Sequence, residues 1–155
     1  MLQGVSIIPF TEEYRGACAG ILRRLPDWFG IESANEAYIA ALGRLPTFVA
    51  LLDGSPAGFI AVEDHLAGAA EIHVLAVAPE LHRHGIGTEL MRHAESSARA
   101  RGRTIVHVKT LGPSHPDPGY ARTRAFYVAR GYQPLFESTA FWGEDQPTLV
   151  LVKLL

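Results

Sequence analysis

The segment VLAVAPELHRHGIGT, Val74 to Thr88, restricts this chain more than any other. It runs an apolar strand into a proline turn and then into a glycine-paired loop directly before a helix. Gly85 and Gly87 carry no side chains, so the backbone there can turn tightly and aim several amide N–H groups at one point. The helix that follows repeats apolar residues at Ile86, Leu90, Met91, Ala94 and Ala98, one face of a 3.6-residue period. The positive end of its dipole falls at the same glycines, and the ligand this arrangement suits is an anion such as phosphate or pyrophosphate.

Reading outward from that loop gives an order of elements. Ser6 to Phe10 reads as a short strand, and Thr11 is the expected cap of a helix to about Arg24, with Glu12 and Glu13 at its positive end. Leu25-Pro26 breaks that helix, and Ser33-Ala34-Asn35-Glu36 has the spacing of a capping box that would start a second one through Leu42. Thr47 to Leu52 and Ala57 to Val62 are apolar, β-rich runs around Asp53-Gly54, which predicts a hairpin. Glu71 to Ala78 is the next strand. The glycine-loop helix should end near Gly102, followed by a strand over Thr104 to Thr110 and a proline-rich loop over Leu111 to Gly119. A helix over Tyr120 to Arg130, closed by Gly131, precedes strands at Gln133 to Glu137 and Thr148 to Lys153. The pattern β-α-α-β-β-β-α-β-α-β-β predicts one mixed α/β domain over residues 1–155, a largely antiparallel central sheet flanked by helices.

Composition narrows the function classes. With 48% hydrophobic and 19% charged residues, the 155-residue chain reads as a packed globule rather than a disordered segment. A net charge of −2 argues against a dedicated nucleic-acid binder. Arg92, Arg99, Arg101 and Arg103 read as a solvated helix face. No basic leader with an apolar stretch and no run of 18 apolar residues is present, so no membrane partner is expected and a cytoplasmic location is. The single cysteine, Cys18, excludes an internal disulfide and sits among Ala17, Ala19, Ile21 and Leu22, as a small buried hydrophobe would. His82, His84 and His93 lie near one another in sequence, but no second cluster with zinc-site spacing accompanies them and no metal is expected.

Two motifs carry a resemblance. HRHGIG, His82 to Gly87, resembles the Q/R-x-x-G-x-G/A pyrophosphate loop of the GNAT superfamily of N-acetyltransferases, with His82 where Gln or Arg is usual. TRAFYVARGY, Thr123 to Tyr132, is similar to the family's A-x-x-F-Y-x-x-x-G-F segment. The resemblance implies the acyl-CoA N-acyltransferase fold, with the strands at Glu71 to Val77 and Thr104 to Thr110 splayed into a cleft. It implies acetyl-CoA as co-substrate and an amine-bearing acceptor, a small molecule or a peptide; homodimers are common among relatives. The loop amides of Arg83, His84, Gly85, Ile86, Gly87 and Thr88 would bind the pyrophosphate, and the strand backbone at Leu75, Ala76 and Val77 the pantetheine. Tyr120 stands where the family often has Asn, and would line the cofactor or cap the loop.

Acetyl transfer to an amine requires that an ammonium of pKa roughly 10 lose its proton, that the tetrahedral oxyanion be stabilised and that the departing thiolate be protonated or solvated. Within the resemblance, Tyr127 matches the tyrosine that donates towards the thioester sulfur. Glu71 matches the strand carboxylate used as base; His73 and a water chain are the other candidates. Strict alternation would put Glu71, His73, Leu75 and Val77 on one face and Ile72, Val74, Ala76 and Ala78 on the core face. Trp28 and Phe29 would seal the core or, with Asp27, Glu32 and Glu36, line the acceptor side. No cysteine is placed to accept the acyl group, which favours direct attack of the amine. The rival from another class is a non-catalytic acyl-CoA-binding module.

Overall fold

A computed structural model describes residues 3–155. Its elements are β1 (Val5–Pro9), α1 (Arg15–Arg23), α2 (Glu32–Ala41), β2 (Thr47–Leu52), β3 (Ser55–Asp64), β4 (Ala69–Val77), α3 (Ile86–Ala100), β5 (Ile105–Leu111), α4 (Pro118–Ala129), β6 (Gln133–Ser138) and β7 (Thr148–Leu154). The strands form one seven-stranded sheet in the order β1-β2-β3-β4-β5-β7-β6. Every neighbouring pair is antiparallel except β4 with β5. The expected mixed, largely antiparallel sheet is present, and its one parallel seam lies at the centre.

Each face of the sheet carries its own core. On one, Ile86, Leu90, Met91, Ala94 and Ala98 of α3 pack with Ile60, Val62, Ile72, Val106 and Val108. On the other, Cys18, Ile21 and Leu22 of α1 pack with Val49, Phe59, Ala61, Val74 and Ala76. The apolar period of α3 therefore sets which side of the sheet its helix covers. One buried charge crosses the first core: Glu95 of α3 accepts from Lys153 Nζ at 2.7 Å and from the Tyr132 hydroxyl at 3.3 Å. That pairing satisfies a carboxylate that would otherwise be costly to bury.

Several local expectations need correction. Thr11 makes no side-chain cap; its hydroxyl donates to Glu13 instead, and a 3-10 turn over Glu12–Tyr14 leads into α1. The capping box at Ser33 is not formed, because α2 begins two residues earlier with Ile31 at its N-cap and Ser33 already inside the helix. At α4, Asp117 accepts from the amides of Gly119 and Tyr120, and Pro118 takes the first helical position, where its missing N–H costs nothing. The helix thus starts within the stretch expected to be loop. Asp53-Gly54 does turn the β2–β3 hairpin, with φ of 49° and 82° as a type I′ turn requires.

A one-residue irregularity matters more. The β3–β4 register passes from Ala61↔Val74 to Val62↔Ile72, leaving His73 as an extra residue in β4. Such a bulge breaks the two-residue alternation. Leu75 and Val77 accordingly pack on the α3 face together with Ile72, while Val74, Ala76 and Ala78 join the α1 face. The single-face grouping of Glu71, His73, Leu75 and Val77 does not hold.

Candidate functional site

β4 and β5 pair from Ala69↔Ile105 to Ile72↔Val108 and no further, although β4 continues to Val77 and β5 to Leu111. Beyond that point β4 stays with β3 and β5 stays with β7, so the centre of the sheet opens. The amide of Ala78 donates to Ala57 O at 2.8 Å, which fixes the phase of the β3–β4 ladder. Ala76 therefore directs its amide and carbonyl at β3, whereas those of Leu75 and Val77 face the gap. Val77 O is met there by His82 Nε2 at 2.8 Å. A carbonyl only accepts, so Nε2 carries the proton. His82 is thereby turned back onto the strand, with its ring edge-on to Trp28 at 5.9 Å.

The glycine loop sits at the end of this gap. Arg83 and Gly85 both adopt left-handed backbone, φ 65° and 82°. The first helical bond of α3 runs from Glu89 N to Gly85 O, and no side chain caps the helix. Among the described residues, none of the amides from Arg83 to Thr88 donates to a protein acceptor. Free donors converging at a helix N-terminus make an anion cradle. Gly87 has ordinary helical φ, and its role is space: a Cβ there would meet the Phe126 ring at 3.3 Å. Arg130 stacks on that ring at 4.3 Å and donates to Thr88 Oγ1 at 3.0 Å, joining α4 to the first turn of α3.

α4 also supplies both tyrosines. Tyr127 is 7% exposed, and burial raises its hydroxyl above the ordinary value, which keeps it protonated as a donor. The Tyr120 hydroxyl donates to Trp28 O at 3.2 Å, and burial together with the nearby Asp117 carboxylate pushes it up to about 12. The Trp28 indole in turn donates to Thr123 Oγ1 at 3.1 Å. The segment between α1 and α2 is thus fastened to α4.

Glu71 lies at the last-but-one paired position of β4, 8% exposed. Its Oε1 is 2.9 Å from His65 Nε2 and 3.5 Å from His107 Nε2, and its Oε2 is 3.3 Å from Lys109 Nζ. Burial would raise its carboxyl, but the contacts from His107 and His65 and the charge of Lys109 outweigh burial and hold it at about 2. His73 is not part of this group: its Nδ1 is 3.5 Å from Glu63 and its ring packs on Tyr38 at 5.3 Å. Sequence reasoning missed His65, His107 and Lys109. No local spacing links them to Glu71; the β3–β4 turn and the parallel register Glu71↔His107 bring them together.

The sequence matches the model of the acetyltransferase (GNAT) family over residues 11–132. No curated protein matches it. Among solved structures it is similar to a GNAT-family protein from Desulfovibrio desulfuricans, TM-score 0.85 and 17% identity, covering 97% of this chain and 98% of that one. The ribosomal-protein-S18-alanine N-acetyltransferase of Escherichia coli superposes with TM-score 0.79 and 17% identity, over 97% of this chain and 93% of that one. An aminoglycoside 6'-N-acetyltransferase complexed with coenzyme A gives TM-score 0.75 at 20% identity, over 96% of each chain.

Proposed function

The chain belongs to the GNAT family of acetyltransferases, and from that premise we propose that it transfers an acetyl group from acetyl-CoA to an amine by direct attack on the thioester. One observation carries the reading: β4 and β5 part beside a loop whose amides, Arg83 to Thr88, are free to take an anion. Acetyl-CoA supplies a pyrophosphate for that loop, a pantetheine amide pair for the gap-facing backbone of Leu75 and Val77, and an activated acetyl group. Gly87 lets the Phe126 ring of α4 pack directly on the first turn of α3, beside the loop amides.

The remaining roles fall to side chains of this chain. The Tyr127 hydroxyl donates a hydrogen bond to the departing sulfur, a role supported by its burial on α4, which raises its pKa and keeps it protonated. Tyr120 lines the cofactor side while bracing Trp28. Glu71 is the acceptor-side carboxylate. Held near 2, it is ionised at every working pH but is a weak base by itself. It orients the amine, whose proton leaves through water, and is itself held by the imidazole of His65, 2.9 Å from its Oε1. Direct attack is supported by Cys18, which is 0% exposed in the α1 core with its thiol pushed up to about 12 by burial. The acceptor, an amine-bearing small molecule or peptide, enters from the side of α1 and α2. Among the described residues no helix is long and apolar enough to cross a membrane.

The test is release of free thiol from acetyl-CoA by the pure full-length chain across a panel of amines. Amine-dependent release is expected. Tight coenzyme A binding without turnover on any amine would instead support the non-catalytic acyl-CoA-binding module.

A further inference from the structure

We propose that His65, Glu71 and His107 form a binding site for a divalent transition ion of the zinc type, two imidazole nitrogens and one carboxylate oxygen with a fourth position open to solvent. The three donor atoms lie within 4.8 Å of one another. Zinc bonds of about 2.0–2.2 Å to nitrogen and oxygen in a tetrahedron put neighbouring donors roughly 3.3 Å apart. The two edges at Glu71 Oε1, 2.9 Å to His65 Nε2 and 3.5 Å to His107 Nε2, bracket that value. The two imidazole ring centres are 5.5 Å apart with their planes at 29° to each other, so the rings stack beside Oε1.

The surroundings suit an ion. Lys109 occupies the other carboxylate oxygen at 3.3 Å, which leaves Oε1 as a single-oxygen ligand held in place by an outer partner. The His65 side chain is 41% exposed, which gives the ion an entry path and leaves room for water or a small anion as fourth ligand. The positive charge of Lys109 opposes the ion, so the donor set favours metals that bind imidazole strongly, zinc and copper, over magnesium or calcium. Acetyl transfer needs no metal in this scheme. An ion here would occupy the carboxylate assigned to the acceptor side and inhibit transfer. That consequence rests on the proposed function, whereas metal binding does not.

The test uses the full-length chain without a histidine tag, stripped of metal. Cobalt(II), as the spectroscopic stand-in for zinc, should give the intense visible bands of a four-coordinate site at one equivalent, and zinc should abolish them by competition. His65→Ala and His107→Ala should each weaken zinc affinity by more than about 100-fold, beyond what loss of an outer partner costs. His84→Ala and His93→Ala, which lie outside the cluster, should leave it unchanged. Circular dichroism verifies folding of each variant, and the half-exposed His65 is the substitution least able to disturb it. Absence of the cobalt bands, or affinity unchanged in His65→Ala and His107→Ala, overturns the site. Zinc inhibition of acetyl transfer, reversed by a chelator, is measured separately; cobalt bands without inhibition leave the site standing and refute the role given to Glu71.

Discussion

Glu71 and His107 stand opposite each other across the parallel β4–β5 ladder, Oε1 3.5 Å from Nε2, one register step before the strands separate. The carboxylate is therefore held by the last paired stretch of β4 and β5, next to where the sheet opens. Its position is set by backbone pairing, the rigid placement that the role proposed for it would need.

Glu71→Gln is expected to lower turnover most at neutral pH and to regain part of it as pH rises and more of the amine is already deprotonated. His73→Ala should keep the main pH limb, because His73 pairs with Glu63 and not with Glu71. Profiles of both variants with one amine of known pKa decide the matter. Loss of the limb in His73→Ala alone would make His73 the base.

Tyr127→Phe keeps the ring packed against Phe126 and Tyr132 and removes only the hydroxyl. Acetyl-CoA affinity should hold while turnover at saturating acceptor drops by about 10- to 1,000-fold. Equal turnover in the two proteins would remove Tyr127 from the chemistry.

The two loop glycines should fail differently. Gly87→Val drives a side chain into Phe126, which a bare Cβ already meets at 3.3 Å, and narrows the phosphate approach without opposing the backbone angle. Gly85→Val forces a branched residue to φ 82°, a left-handed conformation that costs about 1–2 kcal/mol or more. Calorimetry should show weakened coenzyme A binding in both, and thermal denaturation the larger loss of stability in Gly85→Val. Undiminished affinity in folded Gly87→Val would place the anion elsewhere.

Acid should weaken the fold through Glu71 and Asp64. Glu71 sits at about 2 in the folded chain against an ordinary 4.5, and Asp64 is lowered by its hydrogen bond from Arg101. A folded value below the unfolded one means the unfolded chain binds more protons in between. The contribution is thus complete above the ordinary value and is lost as pH falls towards the folded one. Urea titrations between about pH 5 and pH 2 should show a shallower loss of stability in Glu71→Gln than in the parent.

Much of this arrangement was legible in the residues, and the rest was hidden for identifiable reasons. The apolar period of α3 and the glycines before it are local signals, and they located the loop and the face it anchors. His73 is different. Nothing in AEIHVLAV marks a bulge, since the extra residue is specified by β3 pairing across the sheet, and with it went the facing of Leu75 and Val77. Ser33 lost its cap to Ile31 because α2 is placed by packing against α1 rather than by a box of one turn. The grouping of His65, Glu71 and His107 depends on which strands run parallel, and no spacing along a single chain encodes that.

Trp28 is bound to α4 from both of its ends, its indole giving to Thr123 and its carbonyl receiving from Tyr120. Those two residues stand where the motif departs from its usual Asn and Ala. Both departures therefore serve one junction, tying the segment between α1 and α2 to α4. Only the indole of Trp28 is specific to that residue, so replacing Trp28 would free Thr123 from that segment while leaving a main-chain carbonyl for Tyr120.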